Sequence, residues 1–181
     1  MNKKDKNSIE KIILKNKEAH SKYFYPLLDN AFSKEDLISG IKVLISGQLT
    51  MSKKTRVFEK EFANKLGKKY ALMVNSGSSA NLLAVFASCN PLRKNRLKPG
   101  DEVLIPALCW STSLWPLVQS GLKPVFIDVD KDTLNVNSDL LVKKITNKTK
   151  VIMLVHVLGN STDVEKIKKI AQQKKIILIE D

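Results

Sequence analysis

Apolar residues recur along this chain in two rhythms, and the change from one to the other is the first clue to its architecture. Before Gly67 they fall three and four positions apart: Ile9, Ile12 and Ile13, then Leu37, Ile38, Ile41, Leu44 and Ile45, then Val57, Phe58, Phe62 and Leu66. That spacing gathers them on one face of a helix. Ser33, ahead of KEDL, offers a side-chain cap for the second group. Gly47 and Gly67 stand where the second and third helices should end, since glycine enters the left-handed backbone of a helix C-terminus without penalty. The first group lies in a Lys-rich stretch and fits a short amphipathic helix or a mobile arm. Residues 23–28 (YFYPLL) read as extended, because Pro26 crowds the helical conformation of its predecessor.

From Tyr70 onward, short apolar runs alternate with helix-spaced segments. Runs at 70–74, 102–106 (EVLIP), 123–129 (KPVFIDV), 150–155 (KVIMLV) and 175–180 (KIILIE) predict strands. Between them, 79–89, 111–120, 138–145 and 162–173 predict helices, with Gly121 ending the second and Asn137 or Ser138 capping the third. Strands that are apolar throughout are covered on both faces, so the expected class is α/β with a mostly parallel sheet flanked by helices. Ligands of such sheets gather at the carboxyl ends of the strands. Four polar or aromatic segments leave strands there and should converge on one edge: NSGSS after Val74, ALCWSTS after Pro106, HVLGN after Val155, and Asp181 after Glu180.

Composition narrows the classes. The 181 residues suffice for one domain with an added arm. No run approaches the roughly 18–20 apolar residues that span a bilayer, and the start MNKKDKNSIEKIILKNK has no signal-peptide cleavage site, so a cytoplasmic chain without a membrane partner is expected. Cys89 and Cys109 have no metal-type spacing and read as buried reduced thiols; no metal site is expected. The net charge of +13 comes mostly from lysines spread along the chain. No basic run is interleaved with aromatics, so we expect a solvated Lys-rich surface suited to anionic small molecules and no nucleic-acid partner. Asp181 directly follows an apolar strand, which suggests the front part of a longer protein.

The strand ends carry the candidate chemistry. In VNSGSSANLLA, Gly77 allows a tight turn, and Ser78 and Ser79 open a helix whose first amides suit a phosphate; the alternative is that Ser78 or Ser79 only caps that helix. Trp110 offers a flat ring for stacking, or it is an ordinary packed tryptophan; Trp115 we assign to packing. Asp181 either accepts a hydrogen bond from a protonated ring nitrogen or is a solvated or capping carboxylate. His156 is open as ligand, acid–base group or structural histidine. A phosphate seat, a stacking ring and a pyridinium partner, in this order, describe half of a pyridoxal phosphate site. No dinucleotide or nucleoside-triphosphate motif competes with it.

These motifs are familiar as a set. SGQLTMSKKTRVFEKEFANKLGKKYALMVNSGSSANLLA, LKPGDEVLIPALCWSTSLWPLVQSGLKPVFIDVDKDTLNV, HVLGNSTDVEKI and IILIED resemble the sugar aminotransferase/dehydratase family called DegT/DnrJ/EryC1/StrS, from about Tyr25 to Asp181. SGSSANLL, PALCWSTS and the LGN of HVLGNSTD look closest to its 3-dehydratase branch. The resemblance implies an aspartate-aminotransferase-like (type I) large domain, with residues 1–24 a Lys-rich arm and 25–181 the front part of that domain. It implies pyridoxal 5′-phosphate or pyridoxamine 5′-phosphate as cofactor, a nucleotide-linked 4-keto-6-deoxy sugar as substrate in lipopolysaccharide O-antigen synthesis, and a homodimer at full length. Gly77 and Ser78 would hold the phosphate, Trp110 would stack on the ring, and Asp181 would pair with its nitrogen. The family's catalytic Lys, replaced by His in the dehydratase branch, lies downstream of Asp181, so these residues include no catalytic group and should be inactive alone. A second reading, from another class, is a non-catalytic fragment or a basic module that binds anions or nucleic acid.

Overall fold

The structure is a computed structural model that describes residues 3–20 and 32–181; the extended reading of 23–28 lies outside them. The chain divides into two compact units, Met1–Met73 and Val74–Asp181.

The first unit is helical. Helix α1 spans Lys3–His20, α2 Lys34–Ser46 and α3 Lys53–Lys65. Of the two readings of the first apolar group, the helix is the one observed, and α1 contacts α2 through an ion pair between Glu10 and Lys34. Helix α2 opens on a full capping box: the Ser33 hydroxyl accepts from the Asp36 amide at 3.1 Å, and the Asp36 carboxylate accepts from the Ser33 amide at 2.9 Å. The Ser33 hydroxyl also donates to that carboxylate, and these bonds hold the Asp36 carboxyl below its ordinary value. Gly47 ends α2 in the left-handed region at φ +69°. After α3, the Lys68 and Gly67 amides bond back to Ala63 and Asn64, and the left-handed Gly67 (φ +60°) makes this double closure possible. Among the apolar residues described in this unit, only Ile38 and Ala63 are buried.

The predicted strand at 70–74 does not form. Tyr70, Leu72 and Met73 are exposed, and the Met73 amide donates to the Glu59 side chain at 2.9 Å. An apolar run becomes a strand only against a neighbour that completes its ladder, and none of the described residues supplies one here.

The second unit is a parallel sheet between two helical layers. Strand β1 spans Glu102–Pro106, β2 Lys123–Ile127, β3 Thr149–Leu154 and β4 Ile177–Glu180, in spatial order β2-β1-β3-β4. All three pairings are parallel. Four helices complete the unit: α4 at Gly77–Ser88, α5 at Ser111–Gln119, α6 at Ser138–Lys144 and α7 at Val164–Lys174. Alternate residues of the central strands feed opposite cores, as the pleat requires. Val103, Ile105, Val151 and Met153 pack with Val85 of α4 and Leu117 of α5. Leu104, Ile152 and Leu154 pack with Leu141 of α6 and with Ile167 and Ala171 of α7. The continuous apolar runs are thereby explained: both faces of β1 and β3 are covered.

Boundaries shift slightly from expectation. Strand β2 stops at Ile127, and Val129 makes only an isolated antiparallel bridge to Val136. Helix α7 starts at Val164, capped by Asp163, and Lys175, read as the start of the last strand, instead closes α7 in the left-handed region. The chain lays β2 on one side of β1 and β3 on the other, so the direction of winding reverses between β1 and β3. In open α/β sheets such a reversal marks the place, at the carboxyl ends of the strands, where ligands bind.

Candidate functional site

Of the four segments expected at one edge, ALCWSTS and HVLGN meet Asp181 directly, and NSGSS is tied to it through Asn81, two residues further along its helix. The Asp181 backbone extends the β4 ladder: the Asp181 amide donates to Leu154 and the His156 amide donates to the Asp181 carbonyl, each at 2.9 Å. The Asp181 side chain reaches the helices of the other two segments. Asn81 of α4 donates from Nδ2 to Oδ2 at 2.9 Å, and the Ser113 hydroxyl of α5 donates to the same oxygen. A carboxylate at the end of a strand is thus held between the beginnings of two helices. Its charge also reaches Cys109, whose thiol is pushed up first by burial and then by Asp181. Cys109 and Cys89 are free and half-buried rather than fully buried.

Gly77 and Ser78 form the first turn of α4. The cap is Ser76, not Ser78 or Ser79: its hydroxyl accepts from the Ser79 amide at 3.2 Å. The cap lies two or three residues upstream of the expected one because Ser76 already has the extended backbone a cap requires. Ser78 is thereby released from capping, and the Gly77 and Ser78 amides lie where a helix offers no internal acceptor. A Cβ added at Gly77 would meet nothing within 4 Å, so the space beside this turn is open. Gly77 itself is helical, and the structure makes no steric demand for glycine there.

Trp110 immediately precedes α5 and is 75% exposed, which rules out a packed core role within this chain. The Ser113 amide donates to its carbonyl at 3.0 Å, so one turn carries the exposed indole and the buried Ser113 hydroxyl. Trp115, assigned to packing, is also more than half exposed.

His156 follows β3. Its Nδ1 accepts from the Thr162 amide at 3.2 Å, which places the proton on Nε2, facing Glu180 at 3.3 Å. The turn after it, Val157–Gly159, holds Leu158 at φ +54°, a left-handed conformation unusual for leucine. Asn135 clamps this turn by donating to the Asn160 carbonyl at 2.9 Å and accepting from the Val157 amide.

Sequence reasoning missed Asn81 and Ser113. Each is a polar residue on the buried face of a short apolar helix, and that misfit is the signal that marks them in hindsight. No group of metal-ligating side chains occurs among the described residues, and none of the described helices is long and apolar enough to cross a membrane.

The protein is of the α/β class: a parallel sheet covered on both faces, with a carboxylate, an exposed indole and a helix start at its carboxyl edge. The chain belongs to the DegT/DnrJ/EryC1/StrS aminotransferase family, whose sequence profile matches residues 31–181. It is 42% identical over 157 residues to the GDP-4-keto-6-deoxy-D-mannose 3-dehydratase of Yersinia pseudotuberculosis, covering 87% of this chain and 40% of that protein. The solved structure of the Escherichia coli GDP-4-keto-6-deoxy-D-mannose 3-dehydratase, with bound hydrated pyridoxal phosphate, superposes with a TM-score of 0.80 at 41% identity, over 87% of this chain and 40% of that one. An aminotransferase from Psychrobacter cryohalolentis superposes at 0.73 with 29% identity, over 88% of this chain and 38% of that one. The chain therefore spans about 40% of the length of the curated dehydratases it matches.

Proposed function

We propose that these residues form the cofactor-binding part of a pyridoxal 5′-phosphate-dependent enzyme of nucleotide-sugar and lipopolysaccharide biosynthesis. The observation that carries this reading is the position of Asp181, fixed at a strand end between the starts of α4 and α5. The Gly77 and Ser78 amides and the Ser78 hydroxyl hold the phosphate, with the helix dipole favouring its charge. The exposed Trp110 indole covers one face of the ring. Asp181 accepts the hydrogen bond of the ring nitrogen. When bound, the cofactor supplies an electron sink for chemistry next to a carbonyl; the residues described here bind and orient it.

The substrate is a nucleotide-linked 4-keto-6-deoxy sugar, and the activity is 3-dehydration or transamination. Dehydration is the better supported, because the dehydratase relatives match at 41–42% identity and the Psychrobacter aminotransferase at 29%. In this reading the covalent Lys, or the His that replaces it, comes from residues matching the rest of the relatives' length, and the enzyme is a cytoplasmic homodimer. Residues 1–24 form a Lys-rich arm ahead of the cofactor-binding part at 25–181.

Protein expressed from the complete reading frame should carry cofactor absorbance, and Asp181→Ala should lose most of it. A wild-type protein that takes up no pyridoxal phosphate would sink the proposal. Light scattering on the same sample tests the dimer, which a monomeric mass would refute.

A further inference from the structure

We propose that Asn81 and Ser113 are positioning residues that aim the Asp181 carboxylate at the cofactor ring. Here we build on the cofactor reading above and add how its key carboxylate is oriented.

Both donors are buried, Asn81 at 6% exposure and Ser113 at 0%, on helix faces that otherwise pack Val85 and Leu117 into the core. Apolar residues at these two positions would serve the packing better, because a buried polar group has to find a partner or forfeit its hydration. Both find the same partner atom. Asn81 Nδ2 and the Ser113 hydroxyl converge on Asp181 Oδ2, and among the described residues no side chain bonds to Oδ1. One carboxylate oxygen is occupied by the protein, and the other is left to accept a ring N–H.

The remaining freedom of Asp181 is removed by the sheet. Its amide and carbonyl are bonded to Leu154 and His156, which fixes the backbone. The two side-chain donors come from different helices, so together they set the plane of the carboxylate. Ser113 belongs to the same turn as Trp110, through the Ser113 amide and the Trp110 carbonyl. The turn that presents the stacking ring therefore also steers the carboxylate, and the two are registered to each other. An aspartate aimed this way needs no reorganisation when the ring arrives.

The test uses protein from the complete reading frame carrying Asn81→Ala, Asn81→Leu, Ser113→Ala or Ser113→Thr. The leucine variant keeps the branched shape of Asn81 without its donor, and the threonine variant keeps the hydroxyl. Two quantities are read: the dissociation constant for pyridoxal 5′-phosphate, and the 15N resonance of the ring nitrogen in labelled cofactor. Loss of either donor is expected to weaken cofactor binding about tenfold, the scale of one hydrogen bond to a charged group. It should also move the ring-nitrogen resonance toward that of an unprotonated pyridine, while Ser113→Thr retains both wild-type values. A purely structural role would lower the melting temperature and leave the resonance of the bound cofactor in place, and that result would overturn the proposal. Wild-type protein that binds no cofactor refutes the functional reading along with this one; normal binding in wild type and in the folded Asn81→Leu and Ser113→Ala variants refutes this one alone.

Discussion

The two units of this chain are built from equally regular sequence patterns, yet they differ in what those patterns achieve. In Val74–Asp181 the apolar residues of β1 and β3 are buried on both faces of the sheet. In Met1–Met73 the helices form, α2 with a full capping box, but Leu44, Ile45, Phe58, Phe62 and Leu66 remain exposed. Local signals are enough to make a helix, whereas burial needs a second surface at the right place. Among the described residues, the first unit is held by the α2 capping box, helix-end hydrogen bonds and the Glu10–Lys34 ion pair, and the second by its core.

Substitutions can break this contrast. Ile152→Ala, at the centre of β3 with 0% exposure, should cost the chain about 2–5 kcal/mol in urea denaturation. Leu44→Ala, on α2 at 66% exposure, should stay within about 0.5 kcal/mol in the same experiment. Equal costs at the two sites would mean that the first unit has a core of its own. Ser33→Ala removes the capping box and should cost about 1 kcal/mol, seen as faster amide exchange confined to α2.

The smallest effect is in pH. The Asp36 carboxyl is held below its ordinary value by the Ser33 hydroxyl and amide. Its folded value lies below its unfolded one, so the cap contributes fully above about pH 4 and is lost as pH falls through the folded value. Amide protection factors in α2, corrected for the intrinsic slowing of exchange in acid, should therefore fall on acidification, and Ser33→Ala should flatten that dependence. Asp139, lowered by its hydrogen bond to Lys166 between α6 and α7, has the same sign in the second unit. There the core should mask it, and an acid response in α7 as large as that in α2 would contradict the contrast.

Much of the fold was legible in the sequence. The apolar runs at 102–106 and 150–155 marked doubly covered strands, and the spacing of Leu37, Ile38, Ile41 and Leu44 marked α2. These are local properties of period and capping. What failed was relational. The run at 70–74 looked like the others, but a strand is defined by its neighbour, and periodicity does not name one. The cap at Ser76 was misplaced by two or three residues because four polar residues compete in NSGSS and only backbone conformation decides among them. Gly77, Ser78, Trp110 and Asp181 could be singled out because each leaves a predicted element at its polar end. Asn81 and Ser113 could not, since their meaning lies in a shared contact with a residue far along the chain.

That contact has a consequence in time. The Asn81–Asp181 bond joins residues 100 positions apart. At a synthesis rate of about 5–20 residues per second, α4 leaves the ribosome roughly 5–20 s before the carboxylate it is to hold. Loop-closure entropy favours the closer pairings, β1 with β2 and β3 with β4, over that of β1 with β3. The carboxylate edge is complete only when α4, α5 and the end of β3 stand around Asp181, because its hydrogen bonds reach all three.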